Sequence, residues 1–227
     1  MAKIKKGRDL ERWKSTKPAP QEGKLRIIGG QFRGHQIRYS GDPITRPMKD
    51  NIREAVFNLV GGWIPGKTVI DLFAGSGAIG IEAISRQADH AIFIERHFPT
   101  VKIIRENLQS LNVGTQATIE SSDTFFWARQ FVKDTGESSH IKFASKPWAV
   151  FCCPPYAFYQ DRLPEMLELI RHFKDLAPPD SLIVVESDDR FDPASLPDPD
   201  QWKIRQYSPA VVSVWQDRPQ EPDQSVT

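Results

Sequence analysis

Cysteine and long apolar runs are what this 227-residue chain has least of. Its two cysteines, Cys152 and Cys153, are adjacent, so they cannot supply the disulfide framework of a small secreted protein. No apolar run approaches the roughly 18 residues that predict a membrane-spanning helix. The five histidines are scattered, without the spacing to other ligands that a metal site needs. We therefore expect a cytoplasmic globular protein that binds no metal.

Charge is balanced overall but unevenly distributed along the chain. The formal net charge is +1, yet residues 1–53 carry 14 Lys and Arg against 5 Asp and Glu, while residues 186–227 carry 4 against 9. A basic N-terminal third favours a polyanionic partner. For residues 1–24 alone, a solvated flexible arm is an equally good interpretation. Residues 218–227 are expected to form a polar tail.

From Thr68 onward, short apolar segments alternate with segments of helical periodicity. Strands separated by helices predict parallel β-α-β units, whereas the last two strands are separated by three residues and predict an antiparallel hairpin. The sequence thus predicts an α/β fold: a Rossmann-like, doubly wound, mainly parallel seven-stranded sheet over 66–217, with a small β-hairpin and helix extension over 25–65. The predicted strands of the sheet are 68–73, 90–95, 116–121, 147–152, 181–186, 202–207 and 211–216, and its predicted helices are 77–87, 98–111, 122–133 and 160–175.

A glycine-rich turn follows the first strand of this sheet. The segment Asp71-Leu72-Phe73-Ala74-Gly75-Ser76-Gly77 joins an apolar strand to an apolar helix. Gly75 and Gly77 lack the Cβ atoms that would keep a ligand away from the backbone, and the helix points its positive end at the same place. The pattern Gly75-x-Gly77-x-x-Gly80 also matches a dinucleotide motif, so the type of ligand has to come from neighbouring residues.

Acidic residues after three successive strands favour S-adenosylmethionine over a dinucleotide. Asp71 would repel a pyrophosphate but suits a ligand with a cationic group. Glu95 can accept both hydroxyls of a ribose, and Asp123 can meet the exocyclic amine of an adenine. Two alternatives stay open, because Asp123 is equally well placed as the N-cap of the next helix and Gly80 fits close helix-strand packing.

A second motif, Cys153-Pro154-Pro155-Tyr156, follows the fourth strand. The two prolines supply no backbone donors and stiffen the loop. A rigidly held carbonyl and an aromatic face suit a flat base with an exocyclic amine: the carbonyl accepts the amine proton and Tyr156 stacks on the ring. After the fourth strand of such a sheet, this motif predicts the site that receives the methyl group.

Together these motifs resemble class I S-adenosylmethionine-dependent methyltransferases, and more narrowly the RsmD-type guanine-N2 methyltransferases of 16S ribosomal RNA. The resemblance covers roughly residues 25–216. It rests on the two motifs above and on the blocks Arg26-Ile27-Ile28-Gly29-Gly30 with Arg33-Gly34, Thr45-Arg46-Pro47 with Asp50, Arg53-Glu54-Ala55-Val56-Phe57-Asn58, Ile94-Glu95 and Val185-Glu186.

The resemblance implies site residues, a cofactor and a partner. S-adenosylmethionine would be bound by Asp71, Phe73, Gly75, Gly77, Glu95 and Asp123, with Cys153, Pro154, Pro155 and Tyr156 as the catalytic loop. The partner would be 16S rRNA or a small-subunit assembly intermediate, bound by a monomer through residues 25–60. In that basic part of the chain, the candidate RNA contacts are Arg26, Arg33, Arg38, Arg46, Lys49 and Arg53.

Two residues depart from the family pattern. His97 stands where a further acid is frequent, which is peripheral. Cys153 stands where the family carries Asp or Asn before Pro-Pro-aromatic, and a thiol is a poor hydrogen-bond acceptor. Losing one such bond costs about 1–3 kcal/mol, or roughly 10–100-fold in rate. We expect Cys153 to act as a weak acceptor, with the Pro154 carbonyl retained.

Three other functions stay open at this stage. Cys153 favours a weakened methyltransferase-fold protein that binds RNA or assists ribosome assembly. The Pro-Pro-Tyr motif also occurs in DNA adenine-N6 methylation, although the N-terminal blocks and the lack of a separate target-recognition domain disfavour it. A covalent role for Cys153 in C5-cytosine chemistry fits the surrounding motif least well.

Overall fold

The computed structural model describes residues 23–41, 47–133 and 146–217. Residues 1–22 of the predicted arm, the tail 218–227 and the candidate residue Arg46 therefore lie outside the described residues. The last two residues of that predicted arm, Gly23 and Lys24, belong to the first strand. The strands are β1 Gly23–Arg26, β2 Gln36–Tyr39, β3 Thr68–Asp71, β4 His90–Ile94, β5 Ala117–Glu120, β6 Trp148–Cys152, β7 Leu182–Asp188, β8 Trp202–Tyr207 and β9 Ala210–Gln216. The α-helices are α1 Asp50–Val60, α2 Ala78–Ser85, α3 Phe98–Ser110, α4 Thr124–Lys133, α5 Phe158–Asp161 and α6 Leu163–Leu176. None of the helices in these ranges is long and apolar enough to cross a membrane.

Seven strands form one sheet in the order β5-β4-β3-β6-β7-β9-β8. The five strands from β5 to β7 pair in parallel, and β9 pairs antiparallel with both β7 and β8. The strand order reverses on either side of β3, so β3 and β6 flank the switch point at which ligands bind in open α/β sheets. The predicted fold class is confirmed, including the antiparallel C-terminal pair.

The sheet separates two apolar layers. Alternate residues of β3 contribute to opposite layers, Val69 to one and Ile70 to the other, as the pleat of a strand requires. Helices α2 and α3 cover the Val69 face. Helices α4 and α6 cover the Ile70 face with a large aromatic cluster that includes Trp127, Phe131 and Phe173.

The N-terminal extension shares the core of the sheet. Strands β1 and β2 pair antiparallel in a separate two-stranded sheet, as the predicted hairpin requires. Ile27 and Ile37 of this hairpin, together with Val56 and Phe57 of α1, pack in the same apolar layer as α2 and α3. The hairpin is therefore held against the helix that follows the glycine-rich turn.

One predicted helix is divided in the structure. The periodicity predicted a single helix over 160–175, but α5 ends at Asp161 and α6 begins at Leu163. Arg162 lies between them with non-helical angles, φ −136° and ψ 31°. Pro164 explains the break, because its ring lacks an N–H and is compatible only with the first turn of a new helix.

Candidate active site

The turn between β3 and α2 forms a compact cradle. Gly75 and Gly77 both have positive φ values, 51° and 79°, which other residues rarely adopt. The Gly77 amide donates to the Ala74 carbonyl over 2.7 Å, and α2 begins at the next residue. The turn thus brings the partly exposed backbone of Gly75 and the N-terminus of α2 to the carboxyl edge of the sheet.

Asp71 lies beneath this cradle rather than on its surface. Asp71 is only 1% exposed, and its Oδ2 accepts a hydrogen bond from the Gly80 amide over 3.2 Å. Burial raises the pKa of Asp71 to about 7, with the Gly80 hydrogen bond opposing that rise and the charge of Glu95 adding to it. The carboxylate therefore braces the first turn of α2, and its contact with a cationic ligand stays a prediction.

Glu95 connects the cradle to the end of β4. One carboxylate oxygen accepts from the Gly75 amide over 3.0 Å, and the other accepts from the His97 amide over 2.7 Å. Each carboxylate oxygen can accept a second hydrogen bond, and the residue is partly exposed. The geometry leaves room for the predicted ribose contact, which remains a prediction.

Asp123 begins α4. Its Oδ1 accepts from the amides of Phe125 and Phe126 over 3.1 and 3.2 Å, which confirms the N-cap alternative. Its Oδ2 lies 3.8 Å from a guanidinium nitrogen of Arg96. The cap and an adenine contact are compatible because they use different lone pairs.

An aromatic cluster that the sequence analysis missed links the cradle to the second motif. The Phe73 ring lies 6.1 Å from the Phe125 ring and 5.9 Å from the Phe158 ring. The Arg162 guanidinium covers Phe125 at 4.0 Å from the ring centroid. Phe158 lies two residues after Tyr156, so its contact with Phe73 holds the two loops side by side.

The loop Cys153–Tyr156 differs from residue to residue in how its backbone carbonyls are used. The backbone carbonyls of Pro155 and Tyr156 accept hydrogen bonds that start α5. Among the described residues, no backbone amide donates to the Pro154 carbonyl. Pro154 itself is buried, so contact between its carbonyl and a ligand stays a prediction.

Tyr156 and Glu186 form a pair whose role no sequence pattern suggested. The phenol of Tyr156 donates to Glu186 Oε1 over 2.7 Å. Burial raises the pKa of Glu186, while the Tyr156 hydrogen bond opposes the rise. Burial and the Glu186 charge also raise the pKa of Tyr156, so the phenol is fully protonated at neutral pH.

Cys153 is a neutral thiol in this environment. Burial raises its pKa well above the usual range, and the charges of Glu186 and Asp71 raise it further. A thiolate, the better acceptor, is thus disfavoured in the structure without ligand. This agrees with a weak acceptor and argues against a nucleophile.

The six candidate RNA contacts do not share one environment. Arg26, Arg33, Arg38 and Lys49 are exposed, with Arg26 paired to Asp50 and Arg38 to Glu106. Arg46 lies outside the described residues. Arg53 is a correction: it is 0% exposed and cannot reach an RNA phosphate.

The reason for the burial of Arg53 is an ionic network beneath the hairpin. Arg53 donates to the Arg26 carbonyl over 2.6 Å, and its Nε lies 3.9 Å from the buried Glu82. Glu82 also accepts from the amides of Ile28 and Gly29 over 2.8 and 2.7 Å and from Arg86 over 2.9 Å. The signal in the sequence was a Glu inside the otherwise mostly apolar helix α2, since a buried carboxylate is stable only with a buried partner.

A buried amide makes a second connection between the hairpin and the cradle. Asn107 of α3 accepts from the Arg38 amide over 2.8 Å and donates to the carbonyls of Arg38 and Ser76 over 2.9 and 3.1 Å. Ser76 lies between the two glycines of the cradle. The basic hairpin and the cradle are therefore fixed to the same side chain.

Known proteins are similar to this chain. The family described as conserved hypothetical protein 95 matches residues 25–216. The ribosomal RNA small subunit methyltransferase D of Escherichia coli K12 is 35% identical over 73% of this chain and 76% of its own length. The putative rRNA methyltransferase YlbH of Bacillus subtilis is 32% identical over 72% of this chain and 83% of its own.

A solved structure of a methyltransferase-type protein is also similar to this chain. The putative methyltransferase yhhF from Escherichia coli superposes with a TM-score of 0.65 at 28% identity, covering 86% of this chain and 99% of that one. The family match, over residues 25–216, includes most of the hairpin as well as the sheet. The chain therefore belongs to the conserved hypothetical protein 95 family, the RsmD-type methyltransferases, which use S-adenosylmethionine.

Proposed function

We propose that this protein transfers a methyl group from S-adenosylmethionine to the exocyclic N2 of a guanine in 16S rRNA. The observation that carries the proposal is the contact between Phe73 and Phe158, 5.9 Å between ring centroids. It joins the glycine-rich cradle to the Cys-Pro-Pro-Tyr loop, so a cofactor in the one and a base on the other would lie next to each other. Proximity of this kind is the main contribution a methyltransferase can make.

The cofactor would be held from three directions. Gly75 offers partly exposed backbone without a side chain, and Gly77 completes the turn. Glu95 has spare acceptor capacity for the ribose hydroxyls, and Asp123 has a second carboxylate oxygen for the adenine amine. When bound, the cofactor supplies an electrophilic methyl group. Asp71 would act from below, by bracing α2 through the Gly80 amide.

The base would be held by the catalytic loop. The Pro154 carbonyl, which no described backbone amide uses, would accept one proton of the guanine amine and orient its lone pair. Tyr156 would stack on the ring. Cys153, as a neutral thiol, would contribute little as an acceptor, so this enzyme would depend more heavily on Pro154 and Tyr156 than relatives with Asp or Asn.

The RNA would cross the hairpin. Arg26, Arg33, Arg38 and Lys49 are exposed on it or just after it, and Arg46, outside the described residues, remains a candidate. Contacts of this type bind phosphates without reading sequence. Affinity should then fall steeply with rising salt, and a flat salt dependence would argue against this surface.

Methyl transfer to isolated substrates tests the proposal. Purified protein and radiolabelled cofactor are incubated with unmodified small ribosomal subunits, naked 16S rRNA and unmethylated DNA, and labelled nucleosides are identified. The expected product is N2-methylguanosine from rRNA, lost in Tyr156→Ala but retained in the distant control Tyr207→Phe. Labelled adenine from DNA would favour the DNA enzyme instead.

A second candidate is an RNA-binding or assembly protein with a weakened active site. The observation that favours it is Cys153, a poor acceptor at the position where the family carries Asp or Asn. In the same experiment, tight salt-dependent binding of the small subunit without any methyl transfer would select this function.

A further inference from the structure

Glu186 is a buried acid at the edge of the candidate active site. It lies on β7, which pairs with β6, the strand that leads into Cys153. The residue is only 6% exposed, and its Oε1 accepts the 2.7 Å hydrogen bond from Tyr156. Among the described residues, no Lys, Arg or His forms a salt bridge with it.

A carboxylate in this position is costly for the fold alone. Every other residue of β7 is buried, and an apolar side chain would fill the same space without the desolvation penalty of a charge. Its partner is not a cation but a phenol on a partly exposed loop. Glu186 is therefore better explained by a restraint on Tyr156 than by a contribution to packing.

The orientation of the Tyr156 ring is not fixed by the loop backbone. The two prolines before it fix the backbone of the loop, but they leave the side-chain torsions of Tyr156 free. A hydrogen bond at the far end of the ring restrains both torsions at once, because the phenol oxygen is the ring atom farthest from the backbone. A strong acceptor gives the most restraint, and hydrogen bonds to charged groups exceed neutral ones.

We propose that Glu186 is a positioning residue for methyl transfer, holding the Tyr156 ring in the orientation that stacks on the target base. The inference rests on the proposed function for the identity of the reaction. It gives Glu186 a particular importance in this chain, where Cys153 cannot supply the acceptor that Asp or Asn would. With one fewer hydrogen bond to its exocyclic amine, the target base depends more on stacking against the Tyr156 ring.

A double-mutant cycle tests the proposal. Glu186→Ala and Tyr156→Phe should each lower kcat for rRNA methylation by about tenfold, the value of one hydrogen bond to a charged group. The double variant should lose no more than either single variant, because both substitutions break the same bond. Glu186→Gln should stay within about threefold of wild type, since its amide oxygen still accepts from the phenol. Tyr207→Phe serves as the matched control.

Other outcomes would overturn the proposal. Losses that multiply to about a hundredfold in the double variant would mean that Glu186 acts independently of Tyr156. A Glu186→Gln variant as slow as Glu186→Ala would mean that the charge, not the hydrogen bond, is what matters. Cofactor affinity, measured by calorimetry, should be unchanged in all variants, and a loss there would indicate a structural defect.

A spectroscopic readout separates this inference from the proposed function. The chain has four tyrosines, so ring-labelled tyrosine gives an NMR spectrum simple enough to assign by substitution. Glu186→Ala should shift the Tyr156 resonance and leave those of Tyr39 and Tyr207 in place, and an unmoved Tyr156 resonance would contradict the contact. Failure of wild-type protein to methylate guanine would refute the proposed function instead, and the cycle would then use whichever base is methylated.

Discussion

At the scale of single residues, we expect Cys153 to limit the rate of methyl transfer. A neutral amide at this position would restore an acceptor without adding a third buried acid beside Glu186 and Asp71. We expect Cys153→Asn to raise kcat by about tenfold, one hydrogen bond to the amine. Cys153→Ser, similar in size to the thiol, is the control and should have a smaller effect. Single-turnover methylation of rRNA measures both, and an unchanged or abolished rate in Cys153→Asn would contradict the weak-acceptor role.

Asp71 gives the protein a pH-dependent stability. Its pKa is 3.8 when unperturbed and about 7 in the folded chain, so between these values the folded state binds more protons than the unfolded state. The contribution of Asp71 to the free energy of unfolding is therefore lost as pH rises through this window, and is constant above it. Asp71→Asn, which keeps an acceptor for the Gly80 amide, should not show this loss.

The measurement is a comparison of urea unfolding for wild type and Asp71→Asn between pH 4 and 8. As pH rises within the window, the free energy of unfolding of the variant should increase relative to wild type by up to about 1.4 kcal/mol per unit of pH. This difference should level off near pH 7. A difference that does not vary with pH would show that Asp71 titrates normally.

At the scale of elements, the contact between α2 and β4 depends on Gly80. A Cβ at this position would lie 2.3 Å from the buried Phe93 ring, so the helix and strand would have to separate. We expect Gly80→Ala to lower the free energy of unfolding by about 1–3 kcal/mol, the usual cost of overpacking. Gly62→Ala meets no atom within 4 Å and is the control. Equal stability of the two variants in urea would disprove close packing at Gly80.

The connection between the hairpin and the cradle depends on Asn107. Asn107→Ala leaves the Arg38 amide and the carbonyls of Arg38 and Ser76 without their partner. We expect a loss of about 1–3 kcal/mol in stability and faster hydrogen exchange at the Arg38 amide. Cofactor affinity should also fall, because Ser76 is part of the cradle. The exposed neighbour Gln109→Ala should change neither, and an unchanged exchange rate at Arg38 in Asn107→Ala would argue against the connection.

The same elements show why the sequence predicted the sheet better than the site. The alternation of apolar segments is local, so the strands, the doubly wound fold class and the antiparallel end could be predicted. Arg53 could not, because charge alone suggested exposure, while its position among Ile52, Val56 and Phe57 places it on the buried face of α1. The pairing of Arg53 with Glu82, 29 positions apart, exists only once the hairpin packs on α2. The Phe73–Phe158 and Tyr156–Glu186 contacts likewise join distant segments.

At the scale of the whole molecule, the fold connects three parts: two loops at the carboxyl edge of the sheet and the hairpin packed on the adjacent helical layer. The cradle after β3 and the loop after β6 meet through Phe73 and Phe158, and the basic hairpin is fixed to the cradle through Glu82 and Asn107. A movement of the hairpin on binding RNA would therefore displace the cradle as well. This arrangement is what makes methylation of an RNA base the central claim.

The most direct test is a map of rRNA methylation in cells with and without the gene. Deletion should remove one N2-methylguanosine from 16S rRNA, detected by mass spectrometry of nuclease fragments. Plasmid-borne wild type and Tyr207→Phe should restore it, whereas Tyr156→Ala, expressed at the same level, should not. A 16S rRNA modification pattern identical in the presence and absence of the gene would contradict the account.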